Sequence, residues 1–178
     1  MKPVLDEILG AGYRMDHSPD LMRMEKGGDG QTLHGGGFER FLGGGLLESY
    51  SFHSNKMFAG MVVVEFMLAD EGPGDGGVAV VQGSHKSNYP APMSLKVGER
   101  WGQHVTEVHA KKGDAVVFCE ACVHGALPWK GVHERRCLLY RFNPGHAAYT
   151  PGVATLEYPS WVVTPQATLH SRTHRSSI

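Results

Sequence analysis

From residue 47 onward, short and mostly apolar runs recur along the chain, and turn sequences that contain glycine or proline separate them. Six runs are rich in β-branched and aromatic residues, which predicts strands. They lie at residues 47–53, 61–69, 78–84, 106–110, 115–124 and 136–142. Turn sequences such as those at residues 73–77 and 143–145 bound them. Many short strands with glycine- and proline-rich turns predict an all-β sandwich, jelly roll or barrel.

Three stretches depart from the strand pattern. Residues 3–10 predict the last turns of a helix, which begins near Pro3 and ends at Gly10. Residues 27–45 are rich in glycine but lack the Gly-Lys-Ser/Thr ending of a phosphate-binding loop, which favours a surface loop. The polar residues from about 165 predict a short helix or an extended tail.

Length and composition favour one globular domain over residues 1–178. The net charge of −1 gives no indication of a nucleic-acid partner or an anionic membrane surface. There is no apolar run typical of a signal peptide or a membrane span. The three cysteines are too few for a disulfide framework, so a cytoplasmic location is expected.

Two segments carry recognisable motifs, in residues 74–90 and 113–142. The first contains Gly-Ser-His-Lys after a strand, and the second contains Gly113-Asp114, His124-Gly125 and Arg135-Arg136. In order and spacing they resemble the phytanoyl-CoA dioxygenase-like family of Fe(II)- and 2-oxoglutarate-dependent oxygenases. The resemblance implies a double-stranded β-helix, a jelly-roll or cupin-like barrel, with minor helices on one sheet. Family members commonly have further N-terminal helices, so this chain is expected to be a short member or a fragment.

The resemblance also implies a metal site and a cosubstrate site. The family binds Fe(II) through a His-x-Asp pair and a distal histidine, which leaves positions for 2-oxoglutarate and O2. On this chain those ligands correspond to His53, Asn55 and His124, and Arg135 corresponds to the arginine that pairs with the far carboxylate of 2-oxoglutarate. Strand alternation allows only one of Arg135 and Arg136 to point inward. The expected activity is oxidation of a small organic substrate.

Asn55 departs from the family pattern because an amide replaces the aspartate. An amide is a weaker ligand for Fe(II), so Asn55→Asp is expected to tighten iron binding. Several alternatives remain open for the third metal position. The third ligand is water, Glu65 or His34 in three of these alternatives, and in the fourth the site is inactive.

Other candidates and functions compete with this interpretation. His85 either lines the mouth of the site or caps a turn, and Cys119 and Cys122 are expected to be core residues because a second cysteine pair for zinc is missing. One rival function is a cupin-like metalloprotein of another activity. Another is a non-catalytic β-sandwich binding module that has lost its metal.

Overall fold

The computed structural model describes residues 1–16, 19–36, 48–96 and 101–147. The predicted tail from about 165 and the second part of the glycine-rich stretch lie outside these residues. Helices in the described part are α1 (Lys2–Leu9), α2 (Met93–Lys96), α3 (Trp101–His104) and a 3-10 turn at Ser84–Lys86. The strands are β1 (Arg14–Met15), β2 (Asp20–Met24), β3 (Gln31–His34), β4 (Tyr50–His53), β5 (Lys56–Ala59), β6 (Val62–Met67), β7 (Gly77–Val80), β8 (Thr106–Glu107), β9 (Ala115–Cys119), β10 (His124–Leu127) and β11 (Arg135–Asn143).

Two antiparallel sheets form the body of the protein. The larger sheet has the order β1-β11-β6-β9, with β2 also paired to β11. The smaller sheet has the order β3-β10-β7-β8, and β4 and β5 form a separate hairpin. Every strand pair within the described ranges is antiparallel, which confirms the all-β prediction.

The strand prediction fails in two places that matter for the site. Residues 115–124 do not form one strand, because β9 ends at Cys119 and β10 begins at His124. A turn separates them, in which the Cys122 amide bonds to the Cys119 carbonyl at 2.8 Å. The glycine-rich stretch was predicted as a loop, but it contains β3, whose four residues are too short to give a periodic signal.

Apolar residues pack on the outer faces of the two sheets. Helix α1 contributes Leu5 to a cluster with Val62 and Val64 of β6. On the smaller sheet, Leu33 and Val123 pack with Leu95 of α2. Helices therefore cover both sheets, whereas the sequence predicted them on one. The space between the sheets contains polar side chains such as His34 and Glu65 together with apolar ones such as Val63 and Phe118.

None of the helices in the described ranges is long and apolar enough to cross a membrane.

Candidate metal and cosubstrate site

Two histidines lie side by side on neighbouring strands of the smaller sheet. His34 ends β3 and His124 begins β10, and they are directly opposed in the antiparallel pair. Opposed residues project to the same face, so their rings lie together with centroids 4.2 Å apart. His34 Nδ1 is 3.0 Å from the Thr32 carbonyl oxygen, and His124 Nδ1 is 2.7 Å from that of Cys122. A carbonyl accepts only from a nitrogen that carries a hydrogen, so the neutral form of each ring has its lone pair on Nε2.

Glu120 completes this group. Ligand atoms of His34, Glu120 and His124 all lie within 4.8 Å of one another. Glu120 Oε2 is 3.7 Å from His124 Nε2, and both side chains are largely buried. Burial lowers the pKa of His124 to about 4, which keeps its ring neutral at ordinary pH. Two imidazoles and one carboxylate form a donor set that suits Fe(II), so the residues present fit a non-haem iron site.

The three residues line a cavity of about 340 Å³ between the sheets. Glu65 of β6 and two arginines of β11, Arg135 and Arg141, line the same cavity. The two arginines are six residues apart, so both project from the same face of β11 at positions separated by roughly 20 Å along the strand. Arg136, between them, is exposed and pairs with Glu134, so Arg135 is the inward arginine of the adjacent pair.

Arg135 is the centre of a buried charge cluster. Its Nη2 donates to Glu65 Oε1 at 2.5 Å, and its Nε forms an ion pair with Glu71 Oε1 at 2.6 Å. The Cys137 thiol also donates to Glu65 Oε1, at 2.6 Å. The side chains of Arg135, Glu65 and Glu71 are at most 4% exposed. We call these four residues the closed charge centre.

The closed charge centre joins the two sheets. Glu71 Oε2 accepts the amide of Val78 in β7, while Arg135 belongs to β11. Gly77 makes room for this carboxylate, since a Cβ there would lie 2.2 Å from Glu71 Oε2. Burial raises the pKa of Glu71, against the lowering by Arg135 and by the Val78 amide. Two carboxylates thus share one guanidinium.

Arg141 has a more open environment. Its Nη1 donates to Asp20 Oδ2 at 2.7 Å, and its Nε lies 3.9 Å from Glu120 Oε1. The Arg141 side chain is 25% exposed and that of Asp20 is 52% exposed. Arg141 therefore stands beside the histidine–glutamate group with a partner that water screens.

His53 and Asn55 are not brought into this group. His53 pairs with Lys56 in the β4–β5 hairpin, is exposed, and stacks on Phe58 with ring centroids 4.4 Å apart. Ser54 and Asn55 form the two-residue turn and both have positive φ, 52° and 59°. Asparagine is favoured there because it tolerates left-handed backbone. The predicted His-x-Asp position is thus a hairpin turn, and it lines a different cavity.

The remaining candidates have structural contacts. Glu65 points inward, but its carboxylate serves Arg135 and Cys137. His85 packs edge-on against Tyr50. Cys122 is buried and Cys119 half-buried, and both are free thiols. Sequence analysis missed Glu120, which a Glu-x-x-x-His spacing before His124 could have indicated.

The model of the phytanoyl-CoA dioxygenase family matches residues 48–137, which is 90 of the 178 residues. The chain belongs to the phytanoyl-CoA dioxygenase family. The match includes His124 and Arg135 and ends before Arg141. It confirms the resemblance that the motifs at residues 74–90 and 113–142 predicted. No curated protein sequence matches the chain significantly.

Solved structures show the same fold as this member of the phytanoyl-CoA dioxygenase family. HygX from Streptomyces hygroscopicus with iron bound is 22% identical, with a TM-score of 0.67 over 83% of this chain and 64% of HygX. HygX with nickel, 2-oxoglutarate and hygromycin B bound is 21% identical, with a TM-score of 0.66 over 83% of this chain and 62% of HygX. AviO1 from Streptomyces viridochromogenes Tue57 is 20% identical, with a TM-score of 0.54 over 78% of this chain and 54% of AviO1.

These likenesses confirm the predicted double-stranded β-helix. The chain spans less than two thirds of the length of these proteins.

Proposed function

We propose that the protein is an Fe(II)- and 2-oxoglutarate-dependent oxygenase whose metal ligands are His34, Glu120 and His124. The observation that carries the proposal is the convergence of two Nε2 lone pairs and one carboxylate inside the cavity between the sheets. In this set His34 and Glu120 replace the predicted His53 and Asn55. His124 keeps its predicted role.

In this proposal the carboxylate ligand does not come from the position that the His-x-Asp motif predicts. The residue two positions after His34, where a His-x-Asp motif would place its aspartate, is Gly36. A Cβ at Gly36 would lie 2.8 Å from the Glu48 carbonyl oxygen and 2.9 Å from the Ala121 Cα. No side chain fits there without moving backbone. Glu120, four residues before His124, supplies the negative charge from the neighbouring chain segment instead.

Backbone carbonyl groups orient the two histidine ligands. The Thr32 and Cys122 carbonyls hold each imidazole in the tautomer that offers Nε2, which also fixes the ring orientation. Bound Fe(II) would supply the coupling of O2 reduction to oxidative decarboxylation of 2-oxoglutarate, which yields succinate and CO2, with oxidation of a substrate. Phe118 packs on His124 with ring centroids 4.5 Å apart, which places an apolar ring beside that imidazole.

Iron titration of four proteins tests the ligand set. We expect the native chain to bind one equivalent of Fe(II) under anaerobic conditions, and His34→Ala and His124→Ala to lose this binding. His53→Ala is the matched control, since it removes an exposed histidine outside the cavity. Full iron binding by His124→Ala, or its loss in His53→Ala, would contradict the proposed set.

The activity has a separate test. With iron present, the native protein should convert 2-oxoglutarate to succinate, and His124→Ala should not. Iron binding without any turnover of 2-oxoglutarate would favour a metalloprotein of another activity.

The proposal extends to the substrate and the location of the protein. We propose a small organic molecule as substrate, because HygX binds hygromycin B in a structure of the same fold. A cytoplasmic location is supported by three cysteines that all remain free thiols.

A further inference from the structure

We propose that Arg141, and not Arg135, binds the far carboxylate of the 2-oxo acid cosubstrate in this protein. This inference rests on the proposed function, and it concerns a different residue from the one that the family motif indicates. It follows from a comparison of the two cationic groups that β11 places in the cavity.

Arg135 already pairs with two buried carboxyl groups. Glu65 and Glu71 lie at 2.5 and 2.6 Å from its nitrogens, and neither carboxylate is exposed to water beyond 4% of its side chain. A third carboxyl group at Arg135 would have to compete with these two for the same guanidinium in a place that water hardly reaches. Displacing Glu65 would leave that carboxylate buried without its partner, which is costly.

Arg141 has the opposite properties. Its closest carboxylate belongs to Asp20, which is 52% exposed and can return to water at little cost when a ligand arrives. The ion pair between two partly exposed side chains is therefore exchangeable. A guanidinium with such a partner can form two parallel hydrogen bonds to an incoming carboxylate.

The position of Arg141 also suits a ligand that reaches the metal ligands. Its Nε lies 3.9 Å from Glu120 Oε1, so it stands next to the proposed metal ligand. Val63 of β6 is its cross-strand neighbour, and both line the cavity that contains His34 and His124. A dicarboxylate bound at the metal through its 2-oxo acid end would therefore find Arg141 within the same cavity.

Calorimetric titration of the nickel-loaded protein with 2-oxoglutarate tests the proposal, because nickel keeps the cosubstrate from being consumed. Arg141→Gln should weaken 2-oxoglutarate binding by about 10- to 100-fold, as expected for hydrogen bonds to a charged group. Arg141→Lys should recover part of the loss. Arg23→Gln is the matched control, since Arg23 lines the same cavity and its own side chain is 54% exposed in an ion pair with Glu134.

Pyruvate provides a second probe, because it has the 2-oxo acid end but no far carboxylate. Arg141→Gln should leave pyruvate binding close to that of the native protein. Equal weakening of both ligands would overturn the proposal, since Arg141 would then act on the metal end or on the fold.

Glu65→Gln separates the two arginines without removing either one. If Arg135 were the anchor, this neutral substitution would tighten 2-oxoglutarate binding, and Arg141→Gln would have no effect. That pair of results would overturn the present inference while leaving the proposed function intact. A native protein that binds nickel but no 2-oxoglutarate would overturn both.

Discussion

Arg135 and Arg141 both project from β11 into the cavity, but their environments are opposite. The comparison shows how a residue that stabilises the fold differs from one that is available to a ligand. Arg135 is buried among Glu65, Glu71 and the Cys137 thiol, where it links the two sheets. Arg141, at the other end of the strand, shares a screened ion pair with Asp20. Arg135 therefore has a structural role, whereas Arg141, on the same face of the same strand, has a partner that a ligand can replace.

The difference arises from burial and not from sequence spacing. A buried ion pair is held in place because either partner alone would be a desolvated charge. An ion pair at the surface contributes little to the free energy of unfolding, since water stabilises the two separate charges almost as well as the pairing does. Motif spacing alone selects Arg135 as the residue that binds 2-oxoglutarate. The environments of the two arginines favour Arg141 instead.

The largest effect should come from breaking the closed charge centre. Arg135→Met leaves two buried carboxylates without their cation, which should lower the free energy of unfolding by about 3–5 kcal/mol. Thermal and urea unfolding would measure the loss. Arg136→Met is the control, since that arginine is on the opposite face, is half exposed, and should change stability little. Equal stability of the two variants would show that the centre does not support the fold.

A second change probes the open end of the cavity. Glu120→Gln keeps the shape of the side chain but removes the only carboxylate of the proposed ligand set. Iron affinity should fall by at least about 10-fold, since loss of even an outer-shell partner has an effect of this size. Iron titration measures the change, with Glu134→Gln as the control, since Glu134 pairs with Arg23 and Arg136 and does not line the cavity. Unchanged affinity would exclude Glu120 as a ligand.

A smaller effect is expected when the partner of Arg141 is neutralised. Asp20→Asn removes a screened ion pair, so the free energy of unfolding should change by about 0–1 kcal/mol. Chemical denaturation provides the measurement. A loss as large as that of Arg135→Met would remove the contrast between the two arginines.

No effect on metal binding is expected from Asn55→Asp, although the family motif predicts tighter iron binding. Asn55 lies in a hairpin turn with positive φ and outside the cavity of His124. Parallel iron titrations of the native chain and this variant decide between the two expectations. Tighter binding by the variant would restore His53 and Asn55 as candidates.

Strand periodicity and turn residues were enough to predict the all-β fold and most of the strands. The phytanoyl-CoA dioxygenase motifs were local enough to be seen in single segments, and they include His124 with its following glycine. β3 was missed because four residues after a glycine-rich run show no period. His34 therefore remained a spare candidate, although it stands directly opposite His124.

The sequence by itself determined the family, the β architecture and which residue types were available for chemistry. Only the tertiary structure decided which of them meet, because His34, Glu120 and His124 come from segments whose register is set by pairing between distant strands. The roles of Arg135 and Arg141 depend on the same pairing. Charge and hydrogen-bonding capacity belong to each residue, but burial and the nearest opposite charge belong to the assembled fold.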